Sequence, residues 1–367
     1  METRKDFLCV ARKSPDYVIV ESPWVHHSIM LYKFFTNSER AWQAMFDSMS
    51  SAKESIYLEM YIFVDDIEEF NFLKLLKEKA KSGVRVKIIL DSFGSSDLSK
   101  EGILSLREAG VEVIFLHRTH RKILIVDEKT AFIGGVNFEQ KMNKWIDLVL
   151  KVEGKLVKSI VRSFTKTYIK SGGKDQAVII LNKEVVFSKA KTWIIEHFPM
   201  SNKFNLRRIY KKALRDSETS VLLISPYFTP KRWLMRAMHQ AVLRGVKVEV
   251  LIPKVTDNFF VDRVNHFYIF KMSKLGVSFF LESKMNHAKV LIVDGKEGMV
   301  GSNNLDYFSF EFNSEIGVFI KDIEVIRKLL KITNEWKSES VLFDPKSYNP
   351  KWIDYILSPL IRLLFFL

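Results

Sequence analysis

Apolar positions change their period along this chain, and the changes divide it into elements. Residues 56–63, Ile-Tyr-Leu-Glu-Met-Tyr-Ile-Phe, read as a largely buried strand with Glu59 and Tyr61 on one face. From residue 72 to 81 the apolar spacing shifts to every third or fourth position and predicts a helix. A strand over 84–90, a helix through 104–109 and a strand over 111–116 follow. The same succession returns later, as strand 221–225, helix 231–243, strand 246–252, helix 263–275 and strand 277–281. Gly83-Val84, Gly110-Val111, Gly245-Val246 and Gly276-Val277 each end a helix and open a strand. Strands alternating with helices predict α/β layers around a largely parallel sheet, laid down twice. Ser171-Gly172-Gly173-Lys174 is the clearest break. The expected units are therefore residues 1–172 and 173–345, followed by a tail over 346–367.

A tighter repeat lies inside this one. His120-x-Lys122-x4-Asp127-x6-Gly134-Gly135-x-Asn137 is matched by His287-x-Lys289-x4-Asp294-x6-Gly301-Ser302-x-Asn304, and recurrence at fixed offsets excludes coincidence. The strand that starts at His120 turns at 127–130 and returns over 131–133. The second copy turns at Asp294-Gly295, a strong hairpin signal. Each hairpin brings its asparagine back beside its histidine and delivers an imidazole, an ammonium and an amide to one end of a sheet. That set suits a phosphate. Lysine neutralises charge, the amide donates hydrogen bonds, and Gly134-Gly135 or Gly301-Ser302 permits close backbone approach. Two matched sets suggest one site made by two halves, with one histidine attacking and the other handling a proton. Asp127 and Asp294 fall at an odd step from their histidines, face the other way, and read as turn or structural carboxylates. Each histidine also needs a group to hold its tautomer and stabilise its cation. Asp147 and Glu315 stand at matching distances downstream, and the spacing leaves open whether each serves its own histidine or the other.

This pattern resembles the phospholipase D superfamily, and more narrowly the bacterial cardiolipin synthases. The resemblance runs from about residue 28 to 321 and rests on the paired His-x-Lys motifs. Ser225-Pro226-Tyr227-Phe228-Thr229-Pro230 and the run from Asn303-Asn304-Leu305-Asp306 to Asn313-Ser314-Glu315 add to it. It implies two pseudo-symmetric α/β/α repeats packed around one shared active site. It further implies two-step phosphatidyl transfer with no metal and no cofactor. In that scheme His120 attacks the donor phosphodiester and becomes a phosphohistidine. His287 protonates the departing alcohol and then deprotonates the incoming one, while Lys122, Lys289, Asn137 and Asn304 hold the phosphoryl oxygens. A second phosphatidylglycerol as acceptor gives cardiolipin and glycerol, whereas water gives phosphatidic acid. Gly135, Ser302, Glu59, Tyr61 and Tyr227 are expected to contact substrate, with packing in the core as the alternative for Glu59, Tyr61 and Tyr227. A phospholipase D-like nuclease is the alternative from another class.

Composition narrows the setting. A chain of 367 residues, 47% hydrophobic, can bury the cores of two domains. The single cysteine, Cys9, excludes an intramolecular disulfide, and neither zinc-type Cys/His spacing nor a Gly-rich phosphate loop is present. A net charge of +14 favours a polyanionic partner, either nucleic acid or an anionic membrane. The C-terminal run over 352–367 tips the choice. It is strongly apolar but interrupted by Asp354, Pro359 and Arg362, too short to span a bilayer, and reads as an interfacial anchor or hydrophobic lip, with a terminal helix packed on the domain as the alternative. The first 30 residues lack the apolar run of a signal peptide or membrane span. The expected partner is thus an anionic phospholipid membrane bearing phosphatidylglycerol, met peripherally at the cytoplasmic face of the cell membrane, and not nucleic acid. His26, His27, His117, His197, His239 and His266 lie outside the repeat and read as incidental or structural, and nothing in the chain reports its oligomeric state.

Overall fold

Gly83, Gly110, Gly245 and Gly276 stand at φ of 92°, 92°, 86° and 87°, where a side chain would be strained, and each closes a helix just ahead of a strand. The computed structural model describes residues 18–20, 30–65, 67, 69–183, 191–199 and 205–356. The first half runs β1 (Val18–Val20), β2 (Met30–Asn37), α1 (Ser38–Ser50), β3 (Ser55–Met60), α2 (Phe72–Lys81), β4 (Arg85–Asp91) and α3 (Lys100–Glu108). It continues through β5 (Glu112–Leu116), β6 (Ile123–Val126), β7 (Thr130–Gly134), β8 (Ile146–Glu153), α4 (Lys155–Lys170) and the short α5 (Gln176–Ile179). Then come β9 (Thr192–His197), α6 (Asn205–Asp216), β10 (Ser220–Ile224), β11 (Phe228–Thr229), α7 (Arg232–Leu243), β12 (Lys247–Pro253) and α8 (Phe259–Ser273). The chain closes with β13 (Ser278–Glu282), β14 (Val290–Val293), β15 (Glu297–Gly301), β16 (Leu305–Asp306), α9 (Tyr307–Glu311), β17 (Glu315–Ile320), α10 (Ile323–Ser338) and β18 (Val341–Leu342).

Two eight-stranded sheets result, ordered β1-β2-β8-β7-β6-β3-β4-β5 and β9-β17-β15-β14-β10-β12-β13-β18. From β2 and from β9 the two orders correspond strand for strand as far as β5 and β13, so the repeat covers seven of the eight strands in each sheet and leaves out β1 and β18. The expected largely parallel sheet is a correction. Only β3–β4, β4–β5, β10–β12 and β12–β13 pair in parallel within these sheets, while the other pairings are antiparallel. The physical reason lies in the connections. Helical crossovers through α2, α3, α7 and α8 impose parallel neighbours, and the motif hairpins with the strands that follow impose antiparallel ones.

Alternation along β6 shows how the halves pack. Leu124 and Val126 join Trp42, Met45, Leu76 and Leu106 under α1–α3. Ile123 and Ile125 point the other way, into a core that also holds Phe164 of α4, Ile292 of β14, Val318 of β17 and Leu329 of α10. The two halves therefore share a core, in which each fully buried Leu or Ile contributes roughly 1.5–3 kcal/mol. Helix α8 begins about one turn earlier than the apolar spacing suggests, because the Asn258 side chain accepts from the Phe260 and Val261 N–H groups. Among the described residues no helix is long and apolar enough to cross a membrane. Within the expected tail, residues 352–356 are helical and Asp354 accepts from Arg263 Nε at 2.5 Å. Residues 357–367, Cys9, His26 and His27 lie outside the described residues.

Candidate active site

The segment leading into each histidine is stitched to the other half. The His120 N–H donates to the Ser314 carbonyl at 2.9 Å, and the Ser314 N–H donates to the Arg118 carbonyl at 2.9 Å. Across the pseudo-dyad, the His287 N–H donates to the Ile146 carbonyl at 2.7 Å and the Ile146 N–H to the Met285 carbonyl at 3.0 Å. Ser314 immediately precedes Glu315, and Ile146 immediately precedes Asp147. Each ladder thus carries a carboxylate to the opposite histidine. His120 Nδ1 lies 3.0 Å from Glu315 Oε1, and His287 Nδ1 lies 2.9 Å from Asp147 Oδ2. The spacing left open whether the carboxylates cross, and they do. With Nδ1 held by a carboxylate, Nε2 of each ring is the nitrogen left to react.

The rest of the predicted cationic set converges here, and burial governs its electrostatics. Lys122 Nζ donates to the His120 carbonyl at 2.7 Å, and Lys289 Nζ donates to the His287 carbonyl. Both lysines are almost fully buried. Burial pulls the Lys122 ammonium down to about 7 and the Lys289 ammonium down to about 8, against the attraction of nearby carboxylates. Burial likewise drags His287 down to about 4, with Lys289 adding to the effect, and holds His120 below its ordinary value despite Glu315. Burial alone would raise Glu315, but His120 and Lys122 keep its carboxyl below the ordinary range. An array of buried cations with depressed proton affinity is short of negative charge, and an anion such as a phosphodiester would supply it.

Aromatic rings wall the site. Tyr61 meets the His120 ring edge-on at a centroid distance of 4.7 Å, and Lys122 Nζ lies 4.8 Å from the Tyr61 centroid. In the second half Tyr227 lies 6.4 Å from the His287 ring and donates from its hydroxyl to Asp257 at 2.6 Å. Trp145 flanks His287 at 5.6 Å. Asn137 arrives at the end of β3, where its Oδ1 accepts from the Ile62 N–H at 3.2 Å. Asn304 is buried with its N–H donated to Ser309 Oγ at 2.9 Å, and its Oδ1 has no hydrogen-bond partner.

Several expected substrate contacts have other roles. A Cβ on Gly135 would stand 2.2 Å from Asp147 Oδ1, so this glycine makes room for the carboxylate that holds His287. At the matching position Ser302 Oγ donates to Glu315, and Ser309 Oγ donates to the other Glu315 oxygen at 2.7 Å. Gly134 and Gly301 clear neighbouring strand carbonyls, those of Leu148 and Ile316. Glu59 does not line the site. It is fully buried, accepts from Thr119 Oγ1 at 2.6 Å and faces the buried Arg121 guanidinium at 3.5 Å. Arg121 in turn donates to Thr167 and Ser163 of α4, anchoring the segment between His120 and Lys122. Asp127 and Asp294 sit at the far end of the hairpins. Asp127 accepts from the Lys53, Glu54 and Ser55 N–H groups, and Asp294 from those of Glu218, Thr219 and Ser220. Each carboxylate ties a hairpin turn to the start of a central strand.

Sequence reasoning missed Ser309, Arg121 and Trp145. Ser309 and Trp145 have no counterpart in the repeat, and Arg121 stands where the second copy has Ala288, so repetition gave no signal for any of them.

Comparisons with known proteins give the family and the fold. A family model described as cardiolipin synthase, phospholipase D-like domain, matches residues 45–168 and 210–336. The major cardiolipin synthase ClsA of Bacillus subtilis (strain 168) is 30% identical over 344 residues, covering 87% of this chain and 71% of that protein. The probable cardiolipin synthase YwiE of the same organism is 28% identical over 340 residues, covering 86% and 68%. Among solved structures, a phosphatidylserine synthase from Haemophilus influenzae Rd KW20 shares the fold, with a TM-score of 0.71, 14% identity and coverage of 90% of this chain and 93% of that one. The chain belongs to the cardiolipin synthase family of phospholipase D-like proteins.

Proposed function

We propose that the protein is a phosphatidyltransferase that joins two phosphatidylglycerol molecules into cardiolipin and releases glycerol. The observation that carries this reading is the crossed pair of carboxylate-held histidines beside two buried lysines, in a chain that matches cardiolipin synthases over most of its length. In the first step His120 Nε2 attacks the donor phosphorus, the P–O bond to glycerol breaks, and His287 gives its proton to the departing oxygen. In the second, a hydroxyl of the acceptor lipid attacks phosphorus, the P–N bond breaks, and His287 takes the hydroxyl proton back. Lys122 and Lys289 offset the charge that develops on the phosphoryl oxygens, and Asn137 and Asn304 flank them. The bound phosphodiester anion raises the proton affinity of His287 and so prepares it as the acid. In this reading an anionic, phosphatidylglycerol-bearing membrane is the partner, met peripherally at its cytoplasmic face, with residues 1–172 and 173–345 as the two halves and the segment beyond 345 as the membrane-associating tail.

Mass spectrometry of lipids after mixing the protein with phosphatidylglycerol vesicles and EDTA tests the reading. Cardiolipin and glycerol are expected, and both vanish in His120→Ala and in His287→Ala. Phosphatidic acid alone would make the protein a hydrolase. Unchanged lipid together with cleaved single-stranded DNA would make it a nuclease.

A further inference from the structure

Strands β4 and β12 occupy equivalent places in the two sheets, and each ends in a turn that presents an apolar side chain to solvent. Phe93, two residues past β4, is 74% exposed, and Val255, two residues past β12, is 64% exposed. Both turns border the site. Next to Phe93, a Cβ on Gly94 would stand 2.4 Å from the Tyr61 carbonyl, and Tyr61 packs against His120. On the other side, Asp257 follows Val255 closely and holds the Tyr227 hydroxyl beside His287. The second turn then opens α8, whose cap at Asn258 leaves Phe259 and Phe260 at 75% and 70% exposed. Two adjacent exposed phenylalanines at a helix start are costly in water, and helical spacing puts Phe260, Arg263 and Phe267 on one face. The 352–356 helix packs on that face through Arg263–Asp354 and a Phe267–Tyr355 ring contact at 4.9 Å, and leaves Trp352 exposed alongside. Lys254 and Lys284 are exposed beside the second turn, so the rim carries basic groups on that side, with Asp257 turned to the Tyr227 hydroxyl.

We propose that this rim is a bilayer-docking surface, in which Phe93 from one half and Val255, Phe259 and Phe260 from the other enter the acyl region of an anionic phospholipid bilayer. The inference rests on the lipid-transferring function proposed above and adds where the lipid surface meets the protein. An apolar tip with basic groups on one side is complementary to a surface of hydrocarbon beneath anionic head groups. Its placement on both sides of the mouth lets a head group pass from the bilayer into the site without crossing open water. The pseudo-dyad places the rim on both halves, so docking does not depend on the C-terminal segment alone.

The test compares wild type with the triple variant Phe93→Ser, Phe259→Ser, Phe260→Ser, in cosedimentation with phosphatidylcholine vesicles made with and without phosphatidylglycerol. Turnover of a short-chain phosphatidylglycerol kept below its micelle concentration serves as the control for an intact site. The variant is expected to lose about tenfold or more of its partitioning onto phosphatidylglycerol vesicles while monomeric short-chain turnover stays within about twofold. Equal partitioning of the two proteins would overturn the proposal. So would a parallel loss of short-chain turnover, which would make the rim part of the site, or a wild-type dimer that the variant turns into a monomer in sedimentation. Wild type that binds vesicles through this rim yet makes no cardiolipin from either form of the lipid would overturn the proposed function and uphold the docking surface.

Discussion

At the scale of single residues, each histidine ring is held by a carboxylate of the other half. Gly135 shows this most sharply, because its missing side chain is space for Asp147 and Asp147 holds His287. Gly135→Ala should therefore damage the His287 function and leave the His120–Glu315 pair standing. We expect kcat to fall by about tenfold or more, with no further fall when Asp147→Asn is added, since both changes act on one unit. Additive losses in that double-mutant cycle would mean that Gly135 meets the substrate after all. The buried cations make a second prediction. In kcat/KM, activity should fall on the acid side as His120 is protonated. It should fall again as pH rises, first as His287, held down to about 4 in the empty site, loses the proton it must donate. A further fall follows through about 7 to 8, where Lys122 and Lys289 lose their charge. A profile that stays flat from about pH 5 to 9 would contradict this assignment.

Elements explain which parts of this arrangement could be read from the sequence. The hairpins were legible because His, Lys, Asp and Asn recur at one spacing around a turn, and the observed registers, Val126↔Thr130 and Val293↔Glu297, close where Asp127 and Asp294 stand. The helix-to-strand joints were legible because glycine is required at positive φ. The sheet's sense was not, since a run such as 146–153 carries no mark of the neighbour it will pair with, and the crossing of carboxylates depends on exactly such a pairing at 146 and 314. The choice between the site-lining and the core reading of Glu59 was closed to the sequence for a related reason. Alternation along β3 gave the face correctly, but not that Arg121 and Thr119 already occupy it. Within the hairpin element, Asp127→Asn weakens charge-assisted hydrogen bonds to three backbone N–H groups and should cost about 1–3 kcal/mol of stability, read from denaturant unfolding. The pH profile of the remaining activity should keep its shape, because the turn lies at the opposite end of the strand from the histidines. A shifted profile would place Asp127 in the chemistry.

For the whole molecule, one site closes only when both halves contribute, and in its empty state burial weakens the hold of its cations on their protons. His287, Lys122 and Lys289 each have a folded proton affinity below the unfolded one, so the unfolded chain binds more protons and stability rises with pH. His287 contributes that rise between about pH 4 and 6.5, and the two lysines from about 7 and 8 up to about 10.5. An anion in the site should strengthen that hold, so inorganic phosphate should raise the melting temperature more at about pH 6 than at about pH 9. An equal effect at both values would mean that phosphate binds elsewhere. The crossed architecture itself is tested most directly with a phosphatidyl ester of nitrophenol, whose leaving group needs no acid. His120→Ala should release no burst of nitrophenolate. His287→Ala should release one equivalent and stall with lipid on His120, because nothing then activates the acceptor. The decisive pair is Asp147→Asn and Glu315→Gln. Asp147→Asn should burst and stall like His287→Ala, and Glu315→Gln should lose the burst like His120→Ala. The reverse pattern, with each carboxylate mimicking loss of the histidine in its own half, would contradict the crossed site.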